Sequence, residues 1–401
     1  MLDNAKITSK QFAFGVACII QSSVLLTSFF IDLTKQDSWL VVIFGALLAA
    51  PMVAMYGWLM QKFPEKNLFQ MFELLFGKVA GKIVCIIYFY FFFQLTSLNL
   101  HDIGNFMSSS IIPNTPFIVI LVVAMFACAY AVRGDIGVIM KFSAAFMITT
   151  LAIFIFALIL TVDIIEVKNF LPVFDQPPFA YLHSTHAVTT IPFAEVVVFL
   201  MITPNLSIKR EKMRRYYLYG FFMGAMTLLL VVASSIALLG NSLSLFTLPP
   251  FEMFAIINLT SALSRMEILS AIAILMLLFF KVSLLYYISV VAIAHIFNLK
   301  KYKPLVYAFG AICVIYATFI YKSNMVHIFL ALNETIFAWL IFELVFPLAA
   351  VIATLIRKNN PKIIEAMNAP PASDSGSLNN ITEKPQSARL GPNEMEKTGG
   401  N

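Results

Sequence analysis

Long apolar runs separated by short polar segments make up most of the chain. Ten of these runs reach or approach the roughly 20 residues that an α-helix needs to cross the hydrocarbon core of a bilayer. The pattern therefore predicts ten transmembrane helices, which we call spans 1 to 10 in chain order. The predicted spans are residues 10–31, 38–60, 83–101, 116–133, 141–162, 184–203, 216–240, 267–296, 304–321 and 334–356.

Two further segments interrupt or follow this pattern. Between spans 2 and 3, the apolar residues of 68–76 alternate with Gln70, Glu73 and Lys78 at helical spacing, which predicts a short interfacial helix on the cytoplasmic side. After residue 358 the chain is rich in Pro, Ser, Asn, Glu and Lys and has no apolar periodicity. We therefore predict a transmembrane domain at 1–358 and a disordered cytoplasmic tail at 359–401.

The composition excludes a water-soluble protein. Of 401 residues, 60% are hydrophobic and 12% are charged, against about 45–50% and about 25% in soluble domains. Too few polar residues remain to cover a water-facing surface of this size, so lipid must surround most of the chain. The sequence therefore predicts an all-α, multi-pass membrane protein.

The position of the charges predicts the topology. Lys and Arg number 27 against 21 Asp and Glu, for a net charge of +6. If the N-terminus is cytoplasmic, only four basic residues before the tail fall on the outer side, namely Lys35, Lys168, Arg265 and Lys322. That asymmetry favours cytoplasmic N- and C-termini and an even number of spans. The basic run KREKMRR at 209–215 then indicates orientation and contact with anionic lipid, and no nucleic-acid partner is expected.

Enzyme, metal and cofactor motifs are not found in the sequence. The four cysteines are scattered through apolar runs without Cys-x-x-Cys spacing, which argues against disulfides and a zinc site. His183 and His186 are spaced to share a metal, but no third ligand is evident beside them. No nucleophile elbow, phosphate loop or His-Glu-x-x-His motif occurs. We therefore expect no catalytic residue, metal or cofactor.

Two polar interruptions point to a binding site. Ten spans divide into two sets of five that start from opposite sides of the membrane, which suits an inverted repeat at about 8–162 and 184–356. In such folds the first helix of each half is broken near the midplane. Span 1 carries Gln21, Ser22 and Ser23 midway along its length, and span 6 carries Pro192. Ordinary interhelical hydrogen bonds and a simple kink remain the alternative explanations.

Charged residues deep within the apolar runs are few. Glu195 lies in the middle of span 6 and Lys281 near the centre of span 8, and each costs at least about 2.5 kcal/mol to insert there. One explanation is that they form a structural ion pair. The other is that they face a cavity at the midplane. In that case Lys281 would take the place of a transported cation, and Glu195 would orient the break or carry a proton. Glu343 in span 10 is expected to contact a neighbouring helix or a vestibule, and Asp102 to lie in an outer loop.

We hypothesise a ligand pocket between spans 1, 3, 6 and 8, the arrangement that suits the family resemblance given below. Backbone groups freed at the two breaks would meet the ligand's polar ends. The predicted ligand-binding residues are Ile20, Gln21, Ser22, Ser23 and Val24 in span 1, Thr190, Ile191, Pro192, Ala194 and Glu195 in span 6, and Lys281 in span 8.

The residues around these positions resemble a known family. The segment PFAEVVVFLMITPNL at 192–206 resembles the Pro-Phe-Gly-Glu segment of the B subunits of bacterial spore germination receptors. The stretches LFGKVAGK at 75–82 and AVRGDIGVIMKF at 131–142 fit the cytoplasmic loops of that family. Residues 247–287 are similar to its seventh loop and eighth span, including the lysine at Lys281. The resemblance covers about residues 8–356.

The resemblance implies a fold and a function. The family is similar to the amino acid/polyamine/organocation transporters, which implies the five-plus-five leucine-transporter fold with broken helices 1 and 6. Its members bind a nutrient germinant, often an amino acid, in the inner membrane of the dormant spore. They work beside a membrane-embedded A subunit and a lipoprotein C subunit.

The sequence departs from the family at both breaks. Relatives usually carry glycines in span 1 where this chain has Gln21, Ser22 and Ser23, and Ala194 replaces the glycine before Glu195. Side chains there narrow the close backbone approach that glycine permits, so the ligand is expected to be smaller, differently shaped or not an amino acid.

Three functions follow from the sequence. The leading hypothesis is a permease-like, nutrient-sensing membrane subunit of a germination receptor. The alternative is a secondary active transporter of an amino acid. A scaffold without a ligand is disfavoured because polar interruptions inside membrane helices are costly to retain.

Overall fold

A computed structural model describes residues 5–255, 267–321 and 323–369. Arg265, Lys322 and the tail residues 370–401 lie outside the described residues. Apolar helices follow one another in the predicted order. Spans 1 to 5 comprise Ser9–Ser22 with Ser23–Leu26 and Ser28–Thr34, Ser38–Lys62, Lys78–Phe106, Phe117–Gly134 and Ile136–Thr161. Spans 6 to 10 comprise Pro178–Val188 with Ala194–Asn205, Arg210–Leu239, Glu267–Ile296, Leu305–Phe319, and the segments from Asn324–Leu330 to Phe346–Ile356.

The structure confirms a multi-pass membrane protein. Nine helical stretches of the described residues are long and apolar enough to cross a membrane. Span 9, Leu305–Phe319, is apolar but has only 15 residues, which at about 1.5 Å per residue is shorter than a bilayer core. The order of ten apolar helices therefore agrees with the prediction, and span 9 falls short of a full crossing.

Several helices extend past their predicted ends. Span 3 runs over Lys78–Phe106 instead of 83–101, and span 7 begins at Arg210 instead of 216. The predicted spans end at the first charged residues because they were defined by their apolar runs. The helices themselves continue, since long Lys and Arg side chains can reach the polar interface. As a result, Asp102 lies within a helix and not in the outer loop that the sequence suggested.

The loops sort onto two sides of the bundle. On one side, the side chain of Arg210 donates to the backbone carbonyl of Gln61 at 2.6 Å, and Tyr302 donates to that of Val132 at 3.3 Å. We call this the basic side, because the Lys- and Arg-rich loops lie there. On the opposite side, Gln36 donates to the carbonyl of Pro172 at 2.9 Å. The chain therefore alternates between two faces, as the spacing of basic loops predicts.

The predicted helix between spans 2 and 3 is confirmed. It spans Leu68–Phe76 and begins with a capping box formed by Asn67 and Gln70. Its apolar face is buried and packs against spans 3 and 10. Protein, and not lipid alone, therefore covers this face.

The start of the predicted tail is folded. Residues Pro361–Asn368 form a helix in which Ile363 and Ala366 are buried, and this helix packs against Leu68–Phe76. The prediction of disorder is therefore wrong for this segment. Its two buried residues are one turn apart and pack against a neighbouring helix, which the composition of the segment does not indicate.

Spans 1 and 7 pack so closely that the contact requires glycine. A Cβ atom on Gly220 would lie 2.8 Å from Val16 Cβ and closer still to the carbonyl oxygen of Ala13. We expect Gly220→Ala to destabilise the fold by about 1–3 kcal/mol, because backbone atoms of span 1 must move. Thermal unfolding of the purified chain in detergent measures this.

Gly134→Ala is the matched control for that substitution. A Cβ atom there would meet only the side chain of Val138, at 3.1 Å, so a smaller loss is expected. Equal melting temperatures for the two variants would show that the close contact between spans 1 and 7 is not needed for stability.

Candidate functional site

Span 6 is broken at the predicted position. Ile191 has non-helical backbone angles of φ −116° and ψ 109°, between the helix Pro178–Val188 and the 3₁₀ helix Ala194–Asn205. Pro192 explains this, because proline has no N–H to donate and disfavours the helical conformation of the preceding residue. Glu195 lies in the first turn after the break, where the positive end of the helix dipole favours a carboxylate.

Span 1 is distorted but not unwound. It passes from α-helix to a 3₁₀ turn at Ser23–Leu26, and the Ser23 N–H donates to the carbonyls of Ile20 and Gln21. The N–H of Thr27 likewise donates to the carbonyl of Val24 at 3.3 Å. The N–H groups of Ser23 and Thr27 are therefore used within the helix, because these residues, unlike proline, keep their N–H donors.

A buried ion pair joins spans 1, 6 and 8. Lys281 Nζ lies 2.6 Å from Glu195 Oε2 and 2.7 Å from Ser23 Oγ. The Lys281 and Glu195 side chains are 1% and 2% exposed. Ser23 and Glu195 thus fill two of the three donor directions of the ammonium group. The structure brings together these three predicted residues, from three spans that are distant in sequence.

The other predicted binding residues have different surroundings. The Ser22 hydroxyl donates to the carbonyl of Ile19 at 2.7 Å, and the Thr190 hydroxyl to that of His186 at 3.1 Å. Gln21 and Val24 face an apolar cavity beside spans 5, 7 and 8, where Gln21 Oε1 has no hydrogen-bond partner among the described residues. The remaining three, Ile20, Pro192 and Ala194, are buried in the core.

A narrow cavity lies beside the break in span 6. Its volume is about 20 Å³, and Ile191 and Glu195 form part of its wall. The other walls come from Leu26 and Phe29 of span 1, Leu98, Asn99 and Asp102 of span 3, Tyr321, and His327, Ala331, Thr335 and Trp339 of span 10. Span 10 therefore takes the place that the sequence assigned to span 8, and Lys281 lies behind Glu195.

A larger cavity, which we call the vestibule, lies next to the narrow one, away from the basic side. It has a volume of about 380 Å³ and includes Asn105, Ser109, Ser110 and Glu252 in its wall. Four residues border both spaces, namely Leu26, Phe29, Asp102 and His327. We call these four residues the neck. Since the inner cavity is no larger than about one water molecule, a larger molecule can enter it only if the neck opens.

None of the four neck residues is among the predicted ligand-binding residues, and two of them, Asp102 and His327, are polar. Asp102 is 7% exposed and its Oδ1 lies 3.7 Å from His327 Nδ1. Beside them, His101 Nδ1 lies 2.7 Å from the carbonyl of Ala317. Asn99 and Asp102 are three residues apart, which places them on one face of span 3. That polar face at the end of an apolar run was the available signal.

Glu343 lies buried in a π-helical turn of span 10. Its side chain is fully buried, and neither carboxyl oxygen has a hydrogen-bond partner among the described residues. It sits in the π-helical turn Ile341–Val345, whose carbonyls at Phe342 and Glu343 accept hydrogen bonds from Tyr88 and Tyr56. Burial without a partner favours the uncharged acid. Glu343 therefore differs from Glu195, which has a cationic partner.

Comparison with known proteins identifies the family. The sequence profile described as "Spore germination protein" matches residues 6–326. The chain belongs to the spore germination protein family. It is 26% identical to spore germination protein KB of Bacillus subtilis (strain 168) over 366 residues, covering 89% of this chain and 96% of that protein. It is 20% identical to spore germination protein YndE of the same organism, covering 75% and 82%.

Solved structures show the same fold at low identity. Mhp1, a nucleobase-cation-symport-1 family transporter, superposes with a TM-score of 0.64 at 12% identity, covering 91% of this chain and 82% of Mhp1. MhsT, solved in complex with L-phenylalanine, superposes with a TM-score of 0.57 at 12% identity, covering 87% and 99%. The predicted leucine-transporter-like fold is thus confirmed. Family and fold are those of permeases and transporters.

Proposed function

We propose that this spore germination protein is the permease-like, nutrient-sensing membrane subunit of a germination receptor. The observation that carries the proposal is that the vestibule and the narrow cavity meet at the neck, next to the break in span 6 and the Glu195–Lys281 pair. Family membership supports a role in germination, and the transporter fold supports a small-molecule site at that break. The nutrient would bind between spans 1, 3, 6 and 10.

The charges along this path favour a ligand with a cationic group. Asp102 and Glu252 both line the vestibule, whereas Lys281, the nearest cation in the core, is held by Glu195. An amino acid or similar nutrient would bring its ammonium group toward Asp102.

The ion pair would link ligand binding to conformation. Opening the neck moves spans 1 and 10 relative to span 6, and Ser23, Glu195 and Lys281 join span 1 to spans 6 and 8. A ligand shifts such an equilibrium only by its difference in affinity for the two states. We propose that the nutrient binds the opened neck more tightly and that partner subunits respond to the resulting shift.

Further parts of this proposal concern location and partners. The chain would lie in the inner membrane of the spore with both termini cytoplasmic, so that the vestibule faces outward. Its partners would be the A and C subunits of the receptor. Residues 8–162 and 184–356 would form the two inverted repeats of the transmembrane domain.

Deletion of the gene tests the sensory role. Spores that lack it are expected to lose germination with at least one nutrient in a panel of amino acids, sugars and nucleosides, while still germinating with a nutrient-independent trigger. Co-purification from spore membranes should recover A and C subunits. An unchanged response to every nutrient would exclude the sensory function.

A secondary transporter is the second candidate, because the solved relatives of this fold include a symporter family member. The chain reconstituted alone in proteoliposomes would then accumulate a labelled amino acid. Under the sensory proposal we expect no uptake above that of empty vesicles. Uptake by the isolated chain, together with normal germination of the deletion strain, would favour the transporter.

A further inference from the structure

Three potential metal ligands meet at the basic side of the bundle. Glu73 comes from the helix Leu68–Phe76, Cys85 from span 3 and His295 from the end of span 8. One ligand atom from each lies within 4.8 Å of the other two, and within the described ranges this is the one such group of three. Because the ligands belong to three separate helices, the spacing of cysteines in the sequence does not reveal them.

Close packing holds the three side chains in place. Glu73 Oε1 already lies 3.2 Å from His295 Nε2. The thiol of Cys85 donates to the carbonyl of Phe69 at 3.7 Å, and the Phe69 ring contacts His295 edge-on at 5.7 Å. A Cβ atom on Gly81, one turn before Cys85, would lie 2.5 Å from Glu73 Cα. The two helices cannot separate or slide here without losing this packing, so the ligand positions are well determined.

The set of donor atoms selects the kind of metal. A thiolate, an imidazole and a carboxylate are the three ligand types that Zn²⁺ takes from proteins, whereas Mg²⁺ and Ca²⁺ prefer oxygen donors alone. His295 also borders a cavity of about 460 Å³ on the basic side, together with Glu65, Asn67 and Gln70. Water from this cavity can supply a fourth ligand, as in zinc sites with three protein ligands.

We propose that Glu73, Cys85 and His295 form a binding site for Zn²⁺ or a similar first-row divalent cation. Coordination as thiolate releases the Cys85 proton to solvent. The bound ion joins the helix Leu68–Phe76 and span 3 to span 8, which also carries Lys281. It therefore stabilises span 8 at the basic side, at a distance from the nutrient path.

Metal titration of the purified full chain, with any histidine affinity tag removed, tests the site. We expect one Zn²⁺ per chain and a melting temperature that rises with Zn²⁺ concentration. Co²⁺, used as a spectroscopic probe, should produce a thiolate-to-metal charge-transfer band that Zn²⁺ displaces. Cys85→Ser should remove the band, and His295→Gln should weaken Zn²⁺ binding at least about tenfold.

Two control variants separate this site from other cysteines and histidines. Cys128→Ser alters another buried cysteine and should leave the band intact. The double variant His183→Gln/His186→Gln removes the histidine pair at the far end of the bundle and should leave the affinity unchanged. A charge-transfer band that survives Cys85→Ser, or no Zn²⁺ bound by the unaltered chain, would overturn the proposal.

Discussion

Spores carrying Glu195→Gln are expected to lose their nutrient response, and the purified variant to lose about 3–5 kcal/mol of stability. The reason is that the Lys281 side chain, which is 1% exposed, would be left buried without its anionic partner. Glutamine has the same size as glutamate and keeps one hydrogen-bonding oxygen. The loss of stability therefore measures the effect of removing the negative charge. Thermal unfolding in detergent and germination assays with the variant in place of the native gene measure the two effects.

Glu343→Gln is the matched control. Glu343 is also a buried carboxyl group in the bundle, but it has no hydrogen-bond partner among the described residues, so a neutral amide should cost little. The double variant Glu195→Gln/Lys281→Met then decides between the two explanations of the pair. If the double variant regains stability but not the germination response, the two charges are needed for signalling. If it regains both stability and response, the ion pair has only a structural role. If Glu195→Gln alone leaves stability and germination response normal, the ion pair is not part of the functional site.

Ser109→Trp is expected to abolish nutrient binding and response without unfolding the protein. Ser109 is an exposed residue on the wall of the vestibule, in the π-helical turn Met107–Ile111. An indole ring fits within a space of about 380 Å³ but obstructs passage to the neck. The measurements are binding of the germinant identified with the deletion strain, and the dose dependence of germination.

Ser108→Trp controls for the bulk of the new side chain. Ser108 lies in the same π-helical turn but does not border the vestibule. We expect this variant to keep both binding and response. If Ser109→Trp spores respond at the native nutrient concentration, the nutrient does not reach its site through the vestibule.

Features that depend on neighbours along the chain could be read from the sequence. Apolar runs set the order of the spans, and Pro192 set the break in span 6, because proline acts on its own backbone and on the preceding residue. The scarcity of charge in the bilayer identified Glu195 and Lys281, since an intramembrane charge needs a partner or a role.

Features that depend on how helices face one another could not be read in this way. Gln21 and Ser23 are two residues apart, yet one faces an apolar cavity and the other bonds Lys281. Their directions depend on the rotation of span 1 about its axis, which its packing against span 7 determines. The same holds for Asp102 and His327, which meet only because spans 3 and 10 are neighbours.

By itself, then, the sequence determined that this is a multi-pass helical membrane protein, the order of its helices, and that Glu195 and Lys281 are buried among them. These follow from hydrophobicity and local backbone chemistry. Only the tertiary structure decided that the cavity lies against span 10, that span 1 stays helical, and that Glu73, Cys85 and His295 converge. Those outcomes depend on side-chain directions across distant helices, which close packing in three dimensions determines.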